Sequence, residues 1–436
     1  MLTLLKKRWS KLSSSVLTNL PYPLGRGRRA CLGGLLAVLL VSGGALPAGA
    51  QAVAPPPAAA GQWPTAKAWA WYNQQPWPCG FNYIPANAIN YTAMWDKTSF
   101  SPAVIDRELA LAAKTGFNCA RVVLQYAVWA DDPAYFKQTF GRFLAIADKH
   151  HIKVMPALFD DCVFNDQVDP KIGVQPEPVI GWYAWAWSPS PGHTMVADTT
   201  SYPQLEKYVT DVMGAFRTDK RLFVWDLYNE PTNGGLGAKS LPLVRGVFRW
   251  ARAVNPVQPI SIGYWSDNAA LARLIEANAD ITTFHNYGKA ESMQQAVAKF
   301  AQLRRPMICT EWLNRPRGSV VETVLPVLYE HKVGALGWGL VNGKTQTHLP
   351  WGHRPGGPEP TVWQHDLYHT DLTPYRPEEL AEFARLIKDS KTKAYQKQHA
   401  QAANMRLTNE LSDFTFSTPL IFFRDETPYK LAFLAN

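Results

Sequence analysis

Residues 221–231 read RLFVWDLYNEP. The run up to Tyr228 has the aromatic and branched side chains of a buried strand. It then breaks into an amide, a carboxylic acid and a proline: Asn229, Glu230 and Pro231. A plain turn needs only Asn-Gly. Taken alone, Asn-Glu-Pro reads most simply as a turn or a cap. Its meaning depends on whether the strand is one of a series, and on what stands at the ends of the others.

The series is there. Strand-like runs are expected at 79–85, 119–124, 153–159, 222–227, 259–263, 281–285, 307–310 and 334–340. Helical patterns alternate with them at 101–116, 134–150, 203–217, 240–253, 267–277, 291–303, 320–331 and 377–389. The first helix shows the logic. Ser101 is placed to cap it, Pro102 suits its first turn, Ile105, Leu109 and Ala112 share a face, and Gly116 suits its end. Apolar strands in strict alternation with helices favour a parallel sheet. Eight units over residues 63–390 predict an α/β fold, a closed (β/α)8 barrel. No glycine-rich dinucleotide fingerprint follows the first strand, which weakens an open doubly wound sheet.

Outside the barrel the reading is compositional. The whole chain of 436 residues carries a net charge of +9. Seven of those charges (Lys6, Lys7, Arg8, Lys11, Arg26, Arg28 and Arg29) fall in residues 1–50, which hold no acid. The remainder is close to neutral, and no basic stripe is left to follow phosphates, so no nucleic-acid partner is expected. The basic start, the apolar run LGGLLAVLLV (32–41) and the small residues near Ala50 resemble an export signal. The chain is therefore expected to be secreted or periplasmic, with no stable membrane association once the signal is removed. An uncleaved anchor is the alternative. Residues 51–62 (QAVAPPPAAAGQ) read as a linker, and 391–436 as a C-terminal extension of unassigned role. Beyond the signal lie Cys79, Cys119, Cys162 and Cys309. Their spacing is not that of a zinc site. Cys119 and Cys309 sit in apolar runs and are expected to be buried thiols.

In such a barrel, chemistry gathers where the strands end. Those positions carry Asn82, Tyr83, Arg121, Asp160, Asp161, Asn229, Glu230, His285, Tyr287, Glu311 and Trp338. Charged groups at an apolar mouth are costly unless they are paired or used. Glu230 and Glu311, at the ends of the fourth and seventh strands, can converge across it. Two carboxylates flanking a cavity are what glycosidic bond cleavage requires. Arg121 and Tyr287 could hold Glu311 as an anion. Asn229 could read a sugar hydroxyl, His285 could orient Glu230, and Trp338 offers a flat face to a pyranose. Asp160 or Asp161 is expected to line the cleft, and Trp182, Trp185 and Trp187 could extend the aromatic platform. Lys344, Gln346 and His348 are further candidate contacts.

With Asn-Glu-Pro after strand four, His-x-Tyr after strand six, Glu after strand seven and Trp after strand eight, the sequence resembles clan A glycoside hydrolases. It is most like glycoside hydrolase family 5, the cellulase family. The resemblance spans roughly residues 79–390 and implies a retaining mechanism, with Glu230 as acid/base and Glu311 as nucleophile. It implies no cofactor, no metal and a carbohydrate substrate, an oligo- or polysaccharide. One departure stands out: that family usually carries a His after strand three, where this chain has Phe159-Asp160-Asp161. The stretches GFNYIPANAINYTAMW (80–95) and WGLVNGKTQTHLPW (338–351) look like a divergent bacterial branch. Two other function classes compete. One is a metal-dependent barrel lyase using Asp160, Asp161, His285 and Glu311. The other is an inactive carbohydrate-binding or polysaccharide-assembly protein with the same aromatic cleft.

Overall fold

A computed structural model describes residues 61–399. The expected signal (1–50), nearly all of the linker and the C-terminal extension beyond residue 399 lie outside the described residues. The linker's last residue, Gln62, already belongs to the domain. Its amide donates to the Ala279 carbonyl at 2.7 Å, and the Trp63 N–H donates to Asp280 at 2.7 Å.

The strands are Cys79–Asn82, Cys119–Val123, Lys153–Ala157, Trp225–Asp226, Ile260–Ser261, Gly263–Tyr264, Thr282–His285, Met307–Glu311 and Gly334–Trp338. All pair in parallel. Nine segments make eight barrel strands, because the fifth strand is in two pieces. Ile260–Ser261 pairs with the fourth strand, and Gly263–Tyr264 pairs with the sixth. These two pieces are the ends of the hydrogen-bonded order. The chain through Ile262 joins them and closes the barrel. A parallel register then sets the site at one level. Asn82 lies beside Arg121 on one side and Trp338 on the other, and His285 lies beside Glu311.

The helices form for the reasons legible in their sequences. In Pro102–Thr115, Ser101 accepts from the Val104 N–H, Pro102 opens the first turn and Gly116 ends it at φ +97°. Ile105, Leu109 and Ala112 are fully buried. Four α-helices of the described residues were not anticipated: Thr65–Asn73, Tyr91–Trp95, Tyr126–Asp131 and His193–Ala197. Thr65–Asn73 lies across the bottom of the barrel. Its Trp69 and Tyr72, with Trp63, cover Cys119, Met155, Ile308 and Leu336 from four strands, and Val224 and Ile281 just ahead of two others. Of the seventeen tryptophans in the sequence, Trp77, Trp95, Trp225, Trp250 and Trp312 are almost wholly buried and serve packing. Cys79, Cys119, Cys162 and Cys309 are all buried free thiols.

The eighth loop, residues 339–376, is long and is held by one cation. Arg315 makes a two-pronged pair with Glu379 (2.7 and 2.5 Å) and donates to the Trp363 and Asp366 carbonyls. Both partners are about 1% exposed. Removing one member of a buried pair leaves the other charge stranded. Arg315→Ala is therefore expected to cost about 3–5 kcal/mol in urea unfolding; a loss below ~1 kcal/mol would show that the pair does not hold this loop.

Candidate active site

Arg121, from the second strand, is the centre of the mouth. Its side chain is 3% exposed. All five of its N–H groups are used. Nε and one terminal nitrogen donate to Asp226 (2.8 and 2.6 Å), and the same terminal nitrogen reaches Asn229 at 2.7 Å. The other terminal nitrogen donates to Asn82 at 2.8 Å and to Glu311 at 2.7 Å. The guanidinium cannot turn without losing several bonds. Asn82 is fixed in its turn by the Thr310 and Gly337 carbonyls. Glu311 is thus an anchored anion, and its other oxygen accepts from the Tyr287 hydroxyl at 2.8 Å.

Glu230 faces it across the mouth. Its backbone has φ +42°, the left-handed region that a non-glycine residue enters at a cost on the order of 1–3 kcal/mol. Such strain persists only where the surroundings hold it. Here the Trp265 indole grips the Pro231 carbonyl at 2.8 Å, and Asn229 bonds the third-strand end through the Phe159 carbonyl. The carboxylate has three neighbours. His285 Nδ1 lies 2.8 Å from Oε1, Asn233 donates to Oε2 at 2.5 Å, and the Cys162 thiol lies 3.2 Å from Oε2. His285 Nδ1 is also 3.5 Å from Glu311. Ligating atoms of Glu230, His285 and Glu311 all fall within 4.8 Å of one another. Burial is the largest single influence on the Glu230 carboxyl and pushes its pKa up. Its donors, His285 first, outweigh that and hold it below the usual value while the site is open.

Two expectations are corrected. Asp160 and Asp161 do not line the cleft, since both are fully buried. Asp160 takes the Asn229 amide, the Trp187 indole and the Cys162 N–H. Asp161 takes the Tyr228 and Ser240 hydroxyls and the Thr232 N–H. Their lone pairs are spent on bracing the fourth-strand turn, so the metal set Asp160, Asp161, His285 and Glu311 is not assembled. Asn229 is less free than its position suggests: its oxygen serves Arg121, and one amide hydrogen serves Asp160. Trp338 is 8% exposed, with Trp187 and His365 packed on it. Trp187 is therefore a buried support, while Trp182 and Trp185 pack on each other farther out. Lys344 and Gln346 bind the third loop, and His348 packs on Trp363.

Three participants were missed. Asp226 was visible in the quoted strand, as an acid inside an apolar run. Cys162 follows the two aspartates at the third strand end, so the strand-end rule covers it. Asn233 sits in a loop with no periodic signal.

The buried carboxyls make stability depend on pH. Burial pushes Asp160 up to about 6 and Asp161, Asp366 and Glu108 up to about 7. The native chain then keeps protons that the unfolded chain has lost, and stability falls as pH rises through those values. His365 and His348, pushed down by burial to about 3 and about 4, act oppositely below pH ~6.5. Four groups outweigh two. The melting temperature is expected to be lower at pH 8 than at pH 5; a higher value at pH 8 would contradict the assignment.

No protein-family model matches the sequence, and no curated protein matches it. Solved structures do match the fold. An exo-β-1,4-mannosidase from Opitutaceae bacterium strain TAV5 aligns with a TM-score of 0.51 at 17% identity, over 73% of this chain. This chain spans only 60% of that protein's length. A GH5_18 protein from Streptomyces cattleya, in complex with Manβ1-4GlcNAc, gives 0.51 at 13% identity, over 72% of this chain and 81% of that one. A GH5-4 broad-specificity endoglucanase from Clostridium longisporum gives 0.50 at 10% identity, over 74% and 99%. At such identities the likeness is one of architecture: this chain has the (β/α)8 barrel that these glycoside hydrolases share.

Proposed function

We propose that this protein is a retaining glycoside hydrolase acting on β-linked oligo- or polysaccharide, with Glu311 as nucleophile and Glu230 as acid/base. One observation carries the reading. Two carboxylates from opposite strands bring oxygens within 4.8 Å of each other, one beside a fixed cation and the other beside a histidine. That spacing suits direct attack; an inverting pair stands about 6.5–9.5 Å apart to admit a water.

In the first step Glu230 gives its proton to the glycosidic oxygen while Glu311 attacks the anomeric carbon. The leaving sugar departs with that proton, and a glycosyl ester forms on Glu311. In the second step Glu230 removes a proton from water, which attacks the ester and frees Glu311. Arg121 and Tyr287 hold the Glu311 carboxyl in place by one hydrogen bond to each oxygen. Glu230 has to be protonated once substrate is seated. A bound sugar excludes water, and two carboxylates this close do not both stay ionised. With the Arg121 guanidinium on Glu311, the proton goes to Glu230. Trp338, at the end of the eighth strand, is the platform for the sugar, while the Asn229 amide is committed to Asp160 and Cys162. The β-linkage is drawn from the neighbours, whose names give β-1,4-mannosidase and a Manβ1-4GlcNAc complex. The basic and apolar first 50 residues support export, which would bring the enzyme to extracellular glycans.

Glu311→Ala is expected to remove turnover on all glycosides. Glu230→Ala should slow natural substrates by roughly 10²–10⁴-fold and spare nitrophenyl glycosides, with rescue by azide. A chelator should leave activity unchanged. Equal loss on every leaving group without rescue would remove Glu230 from this role, and loss on chelation would favour a cation held by Glu230, His285 and Glu311.

A further inference from the structure

The barrel mouth is walled on one side. The third loop (158–192) and the eighth loop (339–376) meet above it. The Ala184 N–H donates to the Thr345 carbonyl at 3.0 Å, and the Tyr183 N–H to the His353 carbonyl at 3.2 Å. The Gln346 side chain accepts from the Gly181 N–H at 2.9 Å and donates to the Val179 carbonyl at 2.8 Å. Strands three and eight are separated in the sheet by strands one and two. The bridge therefore spans the mouth above Asn82 and Arg121. Trp338 lies beneath it, between Trp187 of one loop and His365 of the other. On the opposite side, the fifth and sixth strands pass to their helices through four residues each, 265–268 and 286–289.

Resting on the hydrolase reading above, we infer that the site accepts the end of a glycan and releases one terminal unit at a time. The sugar to be transferred sits on Trp338, under the bridge, where a chain has no room to continue. The leaving part runs out over the short fifth and sixth loops, past Glu230. Internal bonds of a polymer are excluded.

The test uses nitrophenyl β-glycosides of mannose, glucose and xylose, followed by the β-1,4-linked hexaose of whichever sugar is cleaved. Early products should be the monosaccharide and the pentaose, with no loss of viscosity in the matching polymer. Gln346→Ala, which loosens the bridge, should raise internal cleavage by roughly tenfold, the worth of one or two net hydrogen bonds. Early trimers and tetramers from the native protein would overturn the inference and leave the hydrolase reading intact. Failure to cleave any glycoside would overturn both.

Cys162 is a separate matter. Its thiol lies 3.2 Å from Glu230 Oε2 and within 3.5 Å of the Asn229 and Asn233 amides. Asp160 fixes its backbone N–H at 3.0 Å. The two amides can only donate to sulfur, so its own hydrogen is left for the carboxylate. We infer that Cys162 is a positioning residue for Glu230. Burial keeps the thiol protonated, so it remains a donor throughout the working range. Cys162→Ala removes a donor to the anion and should move the basic limb of the kcat/KM profile up by about half a unit or more, while Cys162→Ser restores it. An unmoved pH profile in Cys162→Ala, with or without a lower melting temperature, would reduce the thiol to packing.

Discussion

The arrangement depends on one buried guanidinium. Arg121 is closed off from water, so each of its five donors needs an acceptor, and they are drawn from strands one, four and seven. Asp226 and Asn82 make Glu311 possible. A single carboxylate could not satisfy a desolvated guanidinium, and a cation with only Glu311 for company would be free to tilt. Five bonds fix its plane, and that plane fixes the Glu311 carboxylate. The same network reaches the far side of the mouth through Asn229, Asp160 and Cys162, so the two carboxylates are coupled by a continuous set of hydrogen bonds.

A second constraint is the strained turn at Glu230. The residue is held in a backbone region it would not choose, and the holding groups are themselves polar and buried. Asp160 and Asp161 serve this turn. Their burial explains how the chain manages with aspartates where the resembling family usually has a histidine: the pair supports the turn from behind and does not present a donor to a ligand.

The barrel was legible in the sequence because strand and helix periods alternate eight times and the caps mark their limits, as at Ser101 and Gly116. The split fifth strand was not, since nothing in PISIGY distinguishes one strand from two pieces divided at Ile262. Nor was the helix Thr65–Asn73, whose Trp69 and Tyr72 join Trp63 in sealing the barrel floor. At the site, Glu230, Glu311, Arg121, His285 and Tyr287 were found because their strand ends converge by topology. Asp160 and Asp161 were misread for a physical reason. Position at a strand end says that a side chain is near the mouth, whereas its partners, Tyr228, Ser240, Trp187 and Asn229, come from elsewhere in the chain and decide which way it turns.

The central claim is that Glu311 becomes covalently bonded to the sugar. Incubation with 2-deoxy-2-fluoro-β-glycosyl fluorides of mannose, glucose and xylose, followed by peptide mass spectrometry, tests it directly. The account predicts time-dependent inactivation by at least one of them, with the fluorosugar mass on the peptide containing Glu311. A label on Glu230 or another residue, or turnover with inverted anomeric configuration and no label, would contradict it.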